Sequence, residues 1–224
     1  HFDAARRILE ADRHVFLEKP MSVGTTQSRE LARLAEARGL RLGVNHNFLF
    51  VPAYERLRTE TVDGTLGRVD QMDLRWIYPL GLIQTGPFDN WMLQTPRNLV
   101  LELMPHLVAF VIDLFGRPDA LTAEASRPID LPGGGRVYRY WHVHARARGA
   151  EIDITLSVSP GYGDRSMALY ANAAAAYCDF ARGLYRREEP SGYGLLADSF
   201  ITTMRSAAQY ANGAFEALAT AVAG

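Results

Sequence analysis

The sequence predicts two joined architectures. The first is the closing part of a doubly wound parallel α/β sheet; the second is an α+β region with a large, mostly antiparallel open sheet covered by helices on one face. Three observations carry this. Residues 2–44 alternate helix-period runs with short strand-like runs, the grammar of a parallel sheet with crossover helices. From residue 48 the strand-like runs lengthen, to 69–78, 136–148, 151–159 and 166–177, and the last three follow one another with no helical pattern between them. Apolar helical stretches at 99–114 and 193–222 supply the surfaces to cover such a sheet.

Each element has a local reason. Phe2, Ala5, Ile8 and Leu9 recur at helical spacing, so 2–11 reads as an amphipathic helix. Val15, Phe16 and Leu17 make a short buried strand at 14–17, which delivers Glu18 and Lys19 to its carboxyl end; Pro20, lacking an N–H, stops it. Thr25 and Thr26 are N-cap candidates for a helix with the stripe Leu31, Leu34 and Ala35, ended by Arg38 and a C-cap Gly39. Residues 40–44 form the next strand. A helix follows at 52–61, a turn at Gly64 and Gly67, and an alternating strand at 69–78. Residues 79–97, with three prolines and two glycines, read as a long surface loop of the kind that usually carries function. The helix at 99–114 is closed by Gly116 and Pro118. The strand at 136–148 is polar at alternate positions, so one sheet face is expected to be wet or at an interface.

Composition narrows the class. The 224 residues allow one large domain or a domain plus part of another. A 48% hydrophobic and 22% charged chain buries a real core. Lys+Arg 24 against Asp+Glu 25 nets −1 without a long charge run, which argues against nucleic acid or an anionic membrane as partner. The lone Cys178 makes no intrachain disulfide, so a reducing, cytoplasmic setting is expected. Asp3, Arg6 and Arg7 interrupt any signal-peptide pattern, and Glu102, His106 and Asp113 make the apolar run at 99–115 a core helix rather than a membrane span. The chain begins at His1, as part of a longer protein would.

Chemistry concentrates at a few positions. Ligands of open parallel sheets bind beyond the carboxyl ends of the strands, where Glu18 and Lys19 stand. A partly desolvated lysine there can hydrogen-bond a substrate hydroxyl; the plain alternative is a solvated lysine in a turn. Glu102 and His106 are i and i+4 on one helix face, so the carboxylate can orient the imidazole and His106 can take the proton of an alcohol. The alternative is a polar stripe satisfied locally. Pro105 requires the helix to start close to Glu102 or to bend there, and either puts the pair near a helix start, where a histidine pKa falls. Asn45, His46 and Asn47 offer amide and imidazole contacts to a ligand, or simply a turn. Arg97 and Arg75 could hold an acidic substrate group. His142 and His144 share a strand face, but without a Cys or acidic cluster at ligand spacing they argue for no metal. The glycine-rich 131–136 lies between strands with no helix after it, which makes it a hairpin loop rather than a phosphate cradle.

Glu18-Lys19-Pro20 is framed by Phe2-x-x-Ala5-x-x-x-Leu9-x-Ala11-x-x-His14-Val15 before it and by Leu31-Ala32-x-x-Ala35 and Gly43-Val44-Asn45 after it. In this order and spacing the segment resembles the Gfo/Idh/MocA family of NAD(P)-dependent oxidoreductases, over residues 1–60. The resemblance implies that residues 1–46 are the C-terminal part of a Rossmann-type NAD(P)-binding domain, most of which precedes His1. It implies that 47–224 form a substrate-binding and oligomerisation domain whose last helix packs back on the first. Lys19, Glu102 and His106 then correspond to a catalytic Lys–Asp–His trio. Glu18, Lys19, Pro20, Asn45 and Trp91 become cofactor contacts for NAD or NADP, and Lys19, His46, Asn47, Arg97 and His106 substrate contacts. Three positions depart from the family pattern: Glu102 stands for its Asp, Arg97-Asn98-Leu99 for its glycines, and Met92 for the Arg that commonly follows the tryptophan.

The implied activity is hydride transfer between NAD(P) and a carbinol carbon of a sugar, sugar derivative or cyclitol, in a homodimer or homotetramer formed through the open sheet face. Two alternatives stay open: a non-catalytic ligand-binding or assembly module on the same fold, and a member that uses NAD transiently in elimination or hydrolysis.

Overall fold

Two sheets organise the chain, one of two strands and one of seven. The computed structural model describes residues 1–223. In the small sheet, β1 (Val15–Glu18) and β2 (Leu42–Asn45) run parallel, with Glu18 opposite Asn45 at their carboxyl ends. Helices α1 (Phe2–Glu10) and α2 (Thr25–Ala37) cover one face, burying Ala5, Leu9, Val15, Leu31 and Ala35 together. Phe16, on the opposite face, is exposed rather than buried as the strand-like run suggested.

The ends of α2 separate two kinds of cap. Gly24, not Thr25 or Thr26, is the N-cap; both threonines lie inside the first turn. The entry is tied instead by Ser22, whose Oγ donates to the Gly24 carbonyl at 2.7 Å and meets Ser28 Oγ at 2.6 Å. At the other end Gly39 takes φ 63°, Leu40 N–H donates to Ala35 O and Gly39 N–H to Glu36 O. That is a glycine-terminated helix end of the Schellman type.

The large sheet runs, in order, β4 (Ala120–Asp130), β5 (Arg136–Ala147), β6 (Ala150–Ser159), β3 (Val69–Pro79), β7 (Asp164–Ala171), β8 (Ala175–Asp179) and β9 (Leu184–Glu188). Strand β3 (Val69–Pro79) sits at its centre, parallel to β6 (Ala150–Ser159) and antiparallel to β7 (Asp164–Ala171). All other neighbours are antiparallel. Along β3, Met72, Leu74 and Trp76 turn into the core while Gln71 and Arg75 face outward, the period of two that a one-sided sheet requires. Helix α6 (Pro96–Phe115) lays Leu99, Leu103, Leu107 and Phe110 on the inward face, beside α3 (Pro52–Val62) and the 3₁₀ turn Asn47–Phe50. By length and composition α6 is also the one helix among the described residues that could cross a membrane; half of that stretch is buried here.

Several expectations change. Residues 79–97 are not a structureless loop: they hold α4 (Leu82–Thr85) and α5 (Trp91–Gln94), and Leu80 and Leu93 anchor them in the core. Helix α6 begins at Pro96, capped by Thr95, so Pro105 lies in its interior and Glu102 and His106 lie well past the first turn. A helix-start effect on His106 therefore does not apply, because dipole effects fall off within one turn. The 166–177 run splits into β7 and β8 (Ala175–Asp179). Two strands escaped the sequence pattern, β4 (Ala120–Asp130) and β9 (Leu184–Glu188). Strand β4 is an exposed edge containing Pro128 and so lacks the apolar alternation of a half-buried strand. Strand β5 (Arg136–Ala147) shows that alternation clearly, its outer face carrying His142, His144 and Arg146. Among the described residues the last helix, α7 (Leu195–Ala223), packs mainly along β9; Gln209 closes that edge by accepting from Arg187 N–H at 2.6 Å and donating to Arg187 O at 2.9 Å.

Candidate active site

The carboxyl end of β1 meets the middle of α6. Lys19 follows β1 directly and its ammonium is nearly enclosed, with the side chain 12% exposed. Its Nζ donates to Glu102 Oε1 at 2.5 Å and to the Glu102 backbone carbonyl at 2.9 Å. Pro105 withholds the N–H that would have bonded the Leu101 carbonyl, so the ladder is interrupted one residue before the carbonyl that Lys19 reaches. Glu102 therefore serves Lys19 and not the His106 ring, contrary to the expected carboxylate–imidazole pair. Both partners lie on one α6 face, but the cation wins the carboxylate because a charge-assisted bond is stronger than one to a neutral ring.

His106 sits one turn further along α6 in an aromatic recess. Phe48 meets its ring edge-on at 4.9 Å and Trp76 lies parallel to it at 6.3 Å. Burial lowers its pKa to about 4, and the nearby charges of Lys19, His46 and Arg165 push the same way. The ring is thus neutral at physiological pH, able to accept a proton. His106 Nδ1 is buried without a hydrogen-bond partner, and so is Nδ1 of His46, whose pKa burial also lowers. Neighbouring Asn47 is exposed at the start of the 3₁₀ turn.

Around this centre the other predicted residues take different places. Glu18 Oε1 accepts from Asn45 Nδ2 at 2.7 Å, a bridge across the ends of the parallel strands. Lys19, Pro20, Gln27, Trp91 and Glu102 line a cleft of about 450 Å³. Gln27 Oε1 is another buried acceptor without a partner. Trp91, at the start of α5, is 38% exposed and faces this cleft. Arg97 is drawn away from a substrate role, since its Nη2 donates to the Val23 carbonyl at 2.5 Å. Arg75 points to the other side of the sheet, into a larger groove of about 700 Å³ that it lines with Asp73, Asp153, Tyr177 and Arg186 and that holds none of the catalytic candidates. Elsewhere on that outer face His144 is bound by Asp153 and Glu151, which raises its pKa, and no group of three metal-ligating side chains occurs among the described residues.

Sequence reasoning did not foresee Phe48, Trp76, Gln27 or Arg165. Arg165 was detectable: it stands in phase with Met167 and Leu169, the inward positions of β7, where a charged residue is out of place.

Trapped polar atoms beside a lysine–carboxylate pair and a neutral imidazole suit a ligand rich in hydroxyl and amide groups. Residues 1–46 match a family model, GFO_IDH_MocA, described as an oxidoreductase family with an NAD-binding Rossmann fold. The chain is 31% identical over 144 residues to the uncharacterized oxidoreductase YdgJ of Escherichia coli, covering 63% of this chain and 40% of that protein. It is 29% identical over 168 residues to a D-xylose dehydrogenase of Paenarthrobacter nicotinovorans, covering 71% and 41%. The chain thus spans about two fifths of the length of these curated relatives. Among solved structures, an NAD binding oxidoreductase from Klebsiella pneumoniae superposes with a TM-score of 0.74 at 18% identity, over 84% of this chain and 54% of that one, a likeness of fold.

Proposed function

We propose that the chain is a member of the Gfo/Idh/MocA oxidoreductases, whose family model residues 1–46 match, and that it supplies the catalytic and substrate-binding part of an enzyme oxidising a CH–OH group of a sugar, sugar derivative or cyclitol. The observation that carries this reading is the Lys19–Glu102 pair beside an imidazole held neutral. Lys19, fixed by the Glu102 carboxylate and carbonyl, keeps a donor for the substrate oxygen. His106 takes the hydroxyl proton as the carbinol C–H bond breaks, and returns it in the reverse direction. A nicotinamide dinucleotide, NAD or NADP, supplies the hydride acceptor when bound. Its neighbours in this chain would be Lys19, Pro20, Asn45 and Trp91, with Glu18 holding Asn45 in place. His46 and Asn47 would face the substrate. The unpartnered Nδ1 atoms and Gln27 Oε1 fit such a guest, because a buried polar atom without a bond is costly until a ligand satisfies it.

In this reading residues 1–46 end the dinucleotide domain, 47–224 form the substrate domain, and the open sheet face joins subunits into a dimer or tetramer in the cytoplasm. The test is a fluorescence titration of the full-length protein with NADH and NADPH, followed by turnover assays on a panel of aldoses and cyclitols. Tight binding of either nucleotide with sugar-dependent reduction of its oxidised form is the expected result. Binding of neither would overturn the reading.

A further inference from the structure

Arg165 occupies a face of the sheet on which a charge is expensive. It pairs with Trp76 in the β3–β7 register, and Met167, two residues on, is buried in the core, so Arg165 projects on the helix-covered side. Its guanidinium lies 5.3 Å from the ring centre of Trp76, 5.7 Å from Phe48 and 6.0 Å from Tyr78. Trp76 and Phe48 are the same rings that wall His106. Among the described residues no carboxylate reaches Arg165 within ion-pair distance. The adjacent Asp164 accepts from Ser166 instead, on the other side of the strand.

Aromatic faces offset part of the cost of desolvating a guanidinium, but they offer no acceptors for its five N–H groups. Those donors form a planar fork matched to a carboxylate or a phosphate. The two arginines that sequence reasoning nominated for such a group are committed elsewhere: Arg97 to the Val23 carbonyl and Arg75 to the opposite face. We propose that Arg165 is a specificity-determining residue that selects a sugar substrate bearing a carboxylate or phosphate, gripping that group beside His106. The proposal deepens the hydride-transfer reading above and rests on it for the identity of the reaction. It also gives the arginine a second effect. Burial is the main cause that keeps His106 from protonating, and the charge of Arg165 adds to it after those of Lys19 and His46, while Glu18 opposes them. An anion seated on Arg165 would offset that last contribution and leave the burial of the imidazole unchanged.

The test uses the full-length protein and sugars that differ only in charge: D-glucuronate and D-glucose 6-phosphate against D-glucose, and D-galacturonate against D-galactose, each with NAD⁺ and NADP⁺. The wild-type enzyme is expected to favour a charged member by about tenfold or more in kcat/KM, the range of one charge-assisted hydrogen bond. The carboxylate and phosphate arms tell the two anions apart. In Arg165→Met the charged-to-neutral ratio should collapse by about 10- to 100-fold, with Arg165→Lys in between. Because the ratio is taken on one preparation, loss of folded protein cancels. A wild-type ratio near one, or equal losses on both members, overturns the proposal. If no sugar is turned over, the hydride-transfer reading fails separately. Calorimetric binding of the same acids then decides: binding that disappears in Arg165→Met upholds the anion site, and its absence in the wild type overturns it.

Discussion

Lys19 and Glu102, 83 positions apart in the sequence, are joined twice, through the carboxylate at 2.5 Å and the backbone carbonyl at 2.9 Å. The double contact fixes the ammonium against α6 and stitches the small sheet to the large one. Arg97 adds a second stitch to the loop after Pro20. The seam between the two sheets and the proposed site are one place.

Removing the lysine should therefore be felt in both activity and stability. Lys19→Met leaves Glu102 partly buried without its cation, and a cost of about 1–3 kcal/mol is expected, below the range for fully buried pairs because the Glu102 side chain is a third exposed. Turnover should fall at least about 100-fold, the scale of a lost positioned catalytic group. Urea melts and steady-state rates measure the two effects, and a variant with wild-type kcat would remove Lys19 from the mechanism.

The neutral His106 ring predicts a pH signature. Its folded pKa is about 4 against an ordinary 6.5, so the unfolded chain binds the proton first as pH falls. Stability from this group is complete above pH 6.5, declines as pH drops toward 4, and changes no further below that. At about 1.4 kcal/mol per pKa unit the loss is at most about 3.5 kcal/mol. His106→Asn should flatten the decline by that share, read from urea midpoints at several pH values. Parallel pH profiles for the two proteins would show that the ring is not held neutral.

Two glycines of one turn should respond differently to alanine. Gly67 has φ 79°, and a Cβ there would stand 2.1 Å from Asn172 Oδ1 and 3.2 Å from the Ala173 nitrogen. Asn172 Oδ1 is held by the Arg68 N–H at 2.7 Å and has little freedom to retreat. Gly67→Ala should cost about 2–4 kcal/mol, a large single-residue effect of combined strain and clash. Gly64 has φ 80° with open space around the added carbon, so Gly64→Ala should cost about 1 kcal/mol from conformation alone. Equal losses in thermal melts would contradict the crowding argument.

Beneath α6, Tyr54 and Arg58 share Asp113. The fully buried Tyr54 hydroxyl donates to Asp113 Oδ2 at 2.8 Å, and Arg58 Nε lies 2.8 Å from the same oxygen. Tyr54→Phe should cost about 1–2 kcal/mol, since a charge-assisted buried bond is lost. Arg58→Met should cost under about 1 kcal/mol, because that side chain is half exposed. The reverse order in denaturant midpoints would mean the ion pair outweighs the hydroxyl.

Legibility in the sequence followed physical cause. Gly39 and the 69–78 alternation were readable because each is governed by local backbone chemistry or by burial on one side. Lys19 and His106 were readable as candidates, but their wiring was not. Which acid serves which base depends on where β1 meets α6, a contact between residues far apart. Strand β4 was invisible because an exposed edge has no apolar alternation to read, and Leu80 and Leu93 show why 79–97 misled: two buried leucines pin a glycine- and proline-rich segment that composition marks as loose.

The central position of β3 has a consequence for how the sheet is assembled. Strands β4–β5–β6 and β7–β8–β9 are each sequence-local antiparallel runs. Strand β3 lies between them, although it precedes both in the chain. Leu74 finds Ile154 only with α4 to α6 and β4 and β5 intervening. Closing that long loop is the entropically expensive step, so the two meanders form early and β3 locks them together late. Core substitutions on β3 should then act chiefly by speeding unfolding, leaving the rate of folding nearly untouched.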